Sequence, residues 1–242
     1  VSGYKTRIIK VQVGGAACSS RVLSDRQQFA DPNGHGRCMG ISSGQWSLFG
    51  QSWPVGRLVA QSMLAIDITG KRLLELGCGI GLASLVLQRR GANEVASDVH
   101  RWADSFLADN AALNQLPAVH YRHIRWHRAL PALAAFDMFV ATDVLYEPDQ
   151  AAMVASIVER PAKPHAEVFV SDPGRGNSAP FTRMLTMLGF EATQMRCAMD
   201  DDDLDLGRGN LMHCLRTSNA ARHHSGATYG SAPHARPTQS DV

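Results

Sequence analysis

The period of the apolar positions changes along the chain, and each change marks an element. Up to about residue 50, short apolar runs alternate with turn formers. Ile8-Ile9-Lys10-Val11-Gln12-Val13 predicts a strand and Asp31-Pro32-Asn33-Gly34 a turn. At Trp53-Pro54 the spacing becomes helical. Pro54 suits a first helical position, and Val55, Leu58, Val59 and Met63 share one face over 54–65. From Lys71 onward strand and helix alternate. Leu73 to Leu76 predicts a strand, and Ile80 to Arg90 a helix closed by Gly91. Val95-Ala96-Ser97 predicts the next strand, and Trp102, Phe106 and Leu113 a helix ending near Asn114. Strands follow over 119–124 and 136–142, the latter apolar on both faces, then a helix over 149–159. Val168-Phe169-Val170 is a fifth strand. Phe181, Met184, Leu185 and Leu188 mark a helix closed by Gly189. Residues 192–198 and 210–216 are two more strands around an Asp-rich loop.

This alternation predicts an α/β fold with a mostly parallel sheet and helices on both faces. The last two strands, joined without a helix, predict an antiparallel hairpin at one edge. The count is about seven strands. The expected organisation is a lead-in with short strands over 1–50, one domain over 51–216 and a disordered tail over 217–242 rich in Ser, Ala, His, Gly and Pro.

Composition narrows the function classes. The chain has 242 residues, 45% apolar and 19% charged, with a formal net charge of +2, which suits a globular protein and is too mild to suggest a phosphate backbone as partner. No window reaches the roughly 18 consecutive apolar residues of a spanning helix, so no membrane partner is expected. Lys10 interrupts the one stretch near the start that resembles a signal core. Cys18, Cys38, Cys78, Cys197 and Cys214 are odd in number and irregular in spacing, so neither a disulfide framework nor a zinc site follows, and a cytoplasmic protein is expected.

Glu75-Leu76-Gly77-Cys78-Gly79-Ile80-Gly81 carries the strongest chemical signal, because it sits where a strand ends and a helix begins. Glycines there allow positive φ and close approach of a ligand to the backbone. Ligands of open parallel sheets bind beyond the carboxyl ends of the strands. The next strand ends in Asp98, 21 residues after Gly77, where a carboxylate accepts both hydroxyl protons of a ribose. The dinucleotide fingerprint needs glycine at its sixth position, and counting from Gly77 that position is Leu82. What stands here is E-x-G-x-G-x-G.

This motif resembles the first motif of class I S-adenosylmethionine (SAM)-dependent methyltransferases, which implies a Rossmann-like seven-stranded sheet and SAM as cofactor. Trp53-Pro54, the glycine motif, Asn110-Ala-Ala-Leu-Asn114, Trp126 and Asp143-Val144-Leu145-Tyr146 occur in the order seen in the seven-strand protein-lysine methyltransferases. The bacterial proteins called predicted nicotinamide N-methylases are similar too. The likeness covers about 45–200. It implies that Trp53 lines the cofactor site and that the turn from Glu75 through Gly77, Cys78, Gly79 and Gly81 holds the cofactor, with Gly77 and Gly79 cradling its amino-acid part. Asp98 would hold the ribose, Trp126 pack on the adenine, and Thr142 offer backbone. Asp143 to Tyr146 would face a substrate amine, with Asp143 orienting it or taking its proton and Tyr146 positioning it. The pattern departs at Arg125 and His127, where related sequences often place an acidic residue beside the tryptophan. Arginine cannot accept a proton from the adenine amine.

Each residue has a plainer reading. Trp53 and Trp126 would serve as core, Asp98 as the N-cap of a helix from Arg101, Asp143 as a cap for the helix after 147, and Tyr146 as a packed ring. His120, His123 and His127 suggest a metal, but 120 and 123 fall on opposite faces of a strand and no metal is expected. The run Asp200 to Asp203 with Asp205 lacks the glycine and glutamate of a calcium loop and reads as a solvated hairpin loop. Arg175 would touch substrate or stabilise its turn.

The leading expectation is a protein N-methyltransferase acting on lysine by in-line methyl transfer. A small-molecule N-methyltransferase acting on a nicotinamide-like ring is the alternative, followed by a SAM-binding protein without catalysis. Base methyltransferases usually carry two prolines after the acidic residue of the fourth strand, and Val144-Leu145 stand there instead, so no nucleic-acid substrate is expected.

Overall fold

The computed structural model describes residues 4–29, 31, 33–39, 41–126, 135–174, 176–195 and 210–216. Pro32, His127, Arg175, Cys197, the acidic run from Asp200 and the segment 217–242 lie outside the described residues.

The chain opens with β1 (Thr6–Val13) and β2 (Ala16–Leu23), an antiparallel hairpin in which Val13 faces Ala16. Gly14 and Gly15 turn it with φ of 56° and 76°, the left-handed pair that a two-residue hairpin requires. Only β1 was expected, although Gly-Gly between two runs is itself a hairpin signal. Two short helices follow, α1 (His35–Met39) and α2 (Ser43–Trp46), neither of them expected. Next comes α3 (Pro54–Ala65), with Trp53 at its N-cap and Pro54 in its first turn.

The alternating part runs β3 (Arg72–Leu76), α4 (Leu82–Arg89), β4 (Asn93–Asp98), α5 (Ala103–Leu113) and β5 (His120–His123). It continues with β6 (Phe136–Thr142), α6 (Gln150–Glu159), β7 (Ala162–Asp172), α7 (Ser178–Met187), β8 (Phe190–Met195) and β9 (Asn210–Arg216). α4 starts two residues later than expected, because its N-cap Gly81 has φ of 82° and cannot be helical. The expected fold class holds. The sheet has seven strands in the order β5-β4-β3-β6-β7-β9-β8, with β9 antiparallel to both β7 and β8 and the other pairs parallel.

Successive strand residues feed opposite sides of this sheet. On β6, Phe139 and Ala141 join a core with α6 and α7, while Met138 and Val140 join one with α3 and α4. The hairpin shares these cores. Val11, Val13 and Cys18 pack with Leu58, Val59 and Met63, and Val22 and Leu23 pack with Phe49 and Phe106. Asn110 on α5 and Asn114 at its C-cap, four residues apart, clamp β2. Asn110 Oδ1 accepts from Arg21 N (2.6 Å), and Asn114 accepts from Ser19 N (2.9 Å) and donates to Ser19 O (2.7 Å). None of the described helices is long and apolar enough to cross a membrane.

Candidate active site

The strand order reverses between β3 and β6, so their carboxyl ends open a crevice, the usual ligand position in such sheets. A cavity fills it. Its walls come from 41–53, the turn after β3, the end of β4, Trp126 and the residues after β6. Trp53, Glu75, Gly77, Cys78, Gly79, Asp98, Trp126, Thr142, Asp143 and Tyr146 all line it. Gly81, the remaining expected residue, does not; its place is structural. A Cβ on Gly81 would stand 2.3 Å from Leu107 Cδ1, and one on Gly77 2.8 Å from Val144 Cγ1. A Cβ on Gly79 would meet nothing within 4 Å. Two of the glycines therefore let the turn pack, and Gly79 leaves its backbone open to the cavity.

Asp98 holds this turn from β4. Its Oδ2 accepts from Gly79 N (2.8 Å) and its Oδ1 from His100 N (2.7 Å). Each oxygen keeps a further lone pair for a ligand hydroxyl. Asp98 caps no helix, since the N-cap of α5 is Trp102. Burial raises its pKa, partly offset by these backbone donors. Burial, Asp98 and Glu75 likewise raise the Cys78 thiol, so this cysteine is not a nucleophile.

Asp143 follows β6 in the left-handed region (φ 50°), which aspartate tolerates better than most residues. Its N–H donates to Ser171 O (3.1 Å) and Oγ (3.3 Å) on β7. Asp143 does not cap α6, whose N-cap is Asp149. Leu145 turns into the core at 1% exposure, so of the expected Asp143 to Tyr146 stretch it does not face the cavity. Burial raises the Tyr146 phenol above its ordinary value, so it is a neutral donor.

The segment 41–53 lines another side of the crevice. Ser42 Oγ donates to Glu147 Oε1 (2.6 Å) and Gln45 Nε2 to Glu147 Oε2 (3.1 Å), next to Tyr146. Trp53 Nε1 donates to Leu48 O (2.8 Å). Apart from Trp53, sequence reasoning missed this wall and its ring stack, in which His100 lies on Phe49 with centroids 3.6 Å apart. Burial, Arg101 and His123 push the His100 pKa down to about 3, so it is neutral. The position of His100, two residues past Asp98 at a strand end, was a usable signal; the 41–53 stretch has no periodicity to read. Among the described residues no group of three or more potential metal ligands comes together.

Residues 53–185 match the sequence profile of the lysine methyltransferase family. The chain belongs to that family. SAM is the family's cofactor, as the first motif implied. Among its relatives, the electron transfer flavoprotein beta subunit lysine methyltransferase of Xenopus laevis is 26% identical over 151 residues, 59% of this chain and 58% of that protein. The magnesium-protoporphyrin O-methyltransferase of Rhodobacter capsulatus is 39% identical over 92 residues, 37% of this chain and 39% of that protein. The chain thus spans little more than half of the first and about two fifths of the second. A T. thermophilus 16S rRNA N2 G1207 methyltransferase, solved with AdoMet and guanosine, superposes with a TM-score of 0.57 at 15% identity. That match covers 87% of this chain and 50% of the other. At that identity the likeness concerns the fold.

The residues present fit SAM. Trp126 Nε1 and Thr142 Oγ1 are buried in the cavity wall without a hydrogen-bond partner, and buried polar groups of this kind are ordinarily satisfied. Together with the open face of Gly79 and the free lone pairs of Asp98, they form a polar lining suited to a nucleoside and an amino-acid group.

Proposed function

We propose that this chain is a SAM-dependent N-methyltransferase whose acceptor is the side-chain amine of a protein lysine. One observation carries the reading: a single crevice joins the nucleoside side, Gly79 and Asp98, to an acidic and phenolic end, Asp143 and Tyr146. The lysine methyltransferase from Xenopus laevis, matched over more than half of each chain, supports a protein acceptor. In this reading Asp98 binds the ribose, Gly77 and Gly79 cradle the amino-acid part, and Trp53 and Trp126 border the cofactor. The free thiols of the described cysteines support a cytoplasmic setting.

When bound, SAM supplies an electrophilic methyl on a sulfonium. The chain contributes position and electrostatics. A lysine amine of pKa about 10.4 is neutral in roughly one molecule per thousand near pH 7.4, a cost of about 4 kcal/mol. The 41–53 segment supplies much of the cavity wall, and desolvation of an amine bound there would favour its neutral form. Asp143 orients the amine and takes up its proton, while the neutral Tyr146 hydroxyl fixes the approach.

Transfer of tritium from labelled SAM into a cell lysate, separated into protein and small molecules, tests this. Label in a protein band with wild type, absent with Asp143→Asn, is expected. Label confined to small molecules would overturn the protein acceptor, and a nicotinamide-like ring would replace it.

A further inference from the structure

Ser84 stands between two buried carboxyls. It lies on α4, facing Glu75 of β3 and Glu94 of β4, and the three residues are 0%, 1% and 6% exposed. Ser84 Oγ contacts Glu75 Oε2 and lies 2.7 Å from Glu94 Oε1. A hydroxyl has one proton to donate. If it goes to one carboxylate, the other contact is a hydrogen bond only when that second carboxyl is protonated and donates to Ser84. Two bare carboxylates here would also repel without compensation. The titratable groups acting on Glu75 are Glu94 and Asp98, both acidic, and the nearby Cys78 thiol is held protonated. Among the described residues no cation pairs with either carboxyl. Glu75 lines the cavity, whereas Ser84 and Glu94 sit behind it.

We propose that Glu75, Ser84 and Glu94 form a proton-sharing triad. One proton rests on Glu75 in the free chain and on Glu94 when a cationic cofactor fills the cavity. The proposal rests on the reading of this cavity as the SAM site. In the exchange, Glu75 O–H gives its proton to Ser84 Oγ as Ser84 gives its own to Glu94 Oε1, so no proton enters or leaves. Glu75 then presents a carboxylate to the cationic ligand, and an empty site avoids two buried charges. The direction agrees with the surroundings. Ser84 eases both carboxyls, but burial and the Glu94 charge hold Glu75 well above the usual carboxylate range, while Glu94, raised by burial to about 7, is eased by Glu75 as well. Ser84 and Glu94 are positioning residues, acting through Glu75.

The test is carboxyl carbon NMR of the full chain labelled at glutamate Cδ, at pH 7, with and without SAM, the two resonances assigned through Glu75→Gln and Glu94→Gln. One protonated carboxyl is expected in the free chain, with Glu75 moving to the carboxylate position and Glu94 to the protonated one on binding. Two ionised carboxyls, or no exchange between them on binding, would overturn the triad. Calorimetry gives a second readout. In Glu94→Gln the amide donates to Ser84 as a protonated Glu94 would, so this variant should bind SAM at least about tenfold more tightly than Glu94→Ala. Equal losses in the two variants would overturn the proposal. Absence of SAM binding by wild type would overturn the cofactor reading instead, so the two failures are distinguishable.

Discussion

On one side of the cavity stand the ends of β3 and β4, held by partners close in sequence; on the other stands a wall held by partners about a hundred residues away. The glycine turn takes its shape from positive φ at Gly77, Gly79 and Gly81 and from the Gly79–Asp98 hydrogen bond, 19 residues apart. The opposite wall is pinned by Ser42 and Gln45 on Glu147, at separations of 105 and 102 residues. The first kind of wall is stiff, because strands of a central sheet carry it. The second depends on a few side-chain contacts, which are individually weak. On the proposed function, nucleoside binding is therefore expected to be robust, and acceptor access is expected to be the part open to adjustment.

Substitutions on each side sharpen this contrast. The largest effect is expected at Asp143. Asparagine tolerates the left-handed backbone there as aspartate does, so Asp143→Asn removes the charge without forcing the turn. Methyl transfer is expected to fall about 10²- to 10⁴-fold, with SAM affinity nearly retained. Equal losses of rate and affinity would show that Asp143 belongs to the cofactor side. Next comes Asp98→Ala, which removes a charged acceptor worth about 1.5–3 kcal/mol. Calorimetry should find SAM binding weakened roughly 10- to 150-fold, and an unaltered Kd would end the ribose assignment.

Gly81→Ala separates packing from binding on the stiff side. The new methyl meets Leu107 at a positive φ, so destabilisation of about 1–3 kcal/mol is expected. Thermal unfolding would measure it, and an unshifted Tm would mean that the turn yields. The smallest effect belongs to Glu147→Gln, which weakens the acceptor-side bridge by about 0.5–1.5 kcal/mol. Hydrogen exchange over 41–53 should quicken while the glycine turn keeps its protection. Equal quickening in both would erase the distinction between the two walls.

The legibility of the molecule follows the same division. α3, β6 and the alternation from β3 to α7 were readable because apolar period is a property of neighbouring residues. The glycine motif and Asp98 were readable because a strand-to-helix turn obliges the backbone to take positive φ where the motif falls. β2 was missed although its Gly-Gly turn was present. Apart from Trp53, the 41–53 wall had no local signature; the position of His100 was a signal but its stack on Phe49 was not, and the Glu75–Ser84–Glu94 cluster had none. Nothing in Ser84 or Glu94 alone predicts that they meet Glu75.

By itself, the sequence determined the element order from α3 onward, the edge hairpin, the glycine turn after β3 and the acidic and phenolic pair after β6. These depend on residues within a few positions of each other, where periodicity and backbone preference act directly. Only the tertiary structure decided that β3 and β6 lie side by side with the strand order reversing between them, that Asn110 and Asn114 clamp β2, and that Glu147 holds the 41–53 segment against the crevice. Those outcomes depend on which surfaces bury one another, a choice made by the whole set of apolar faces at once.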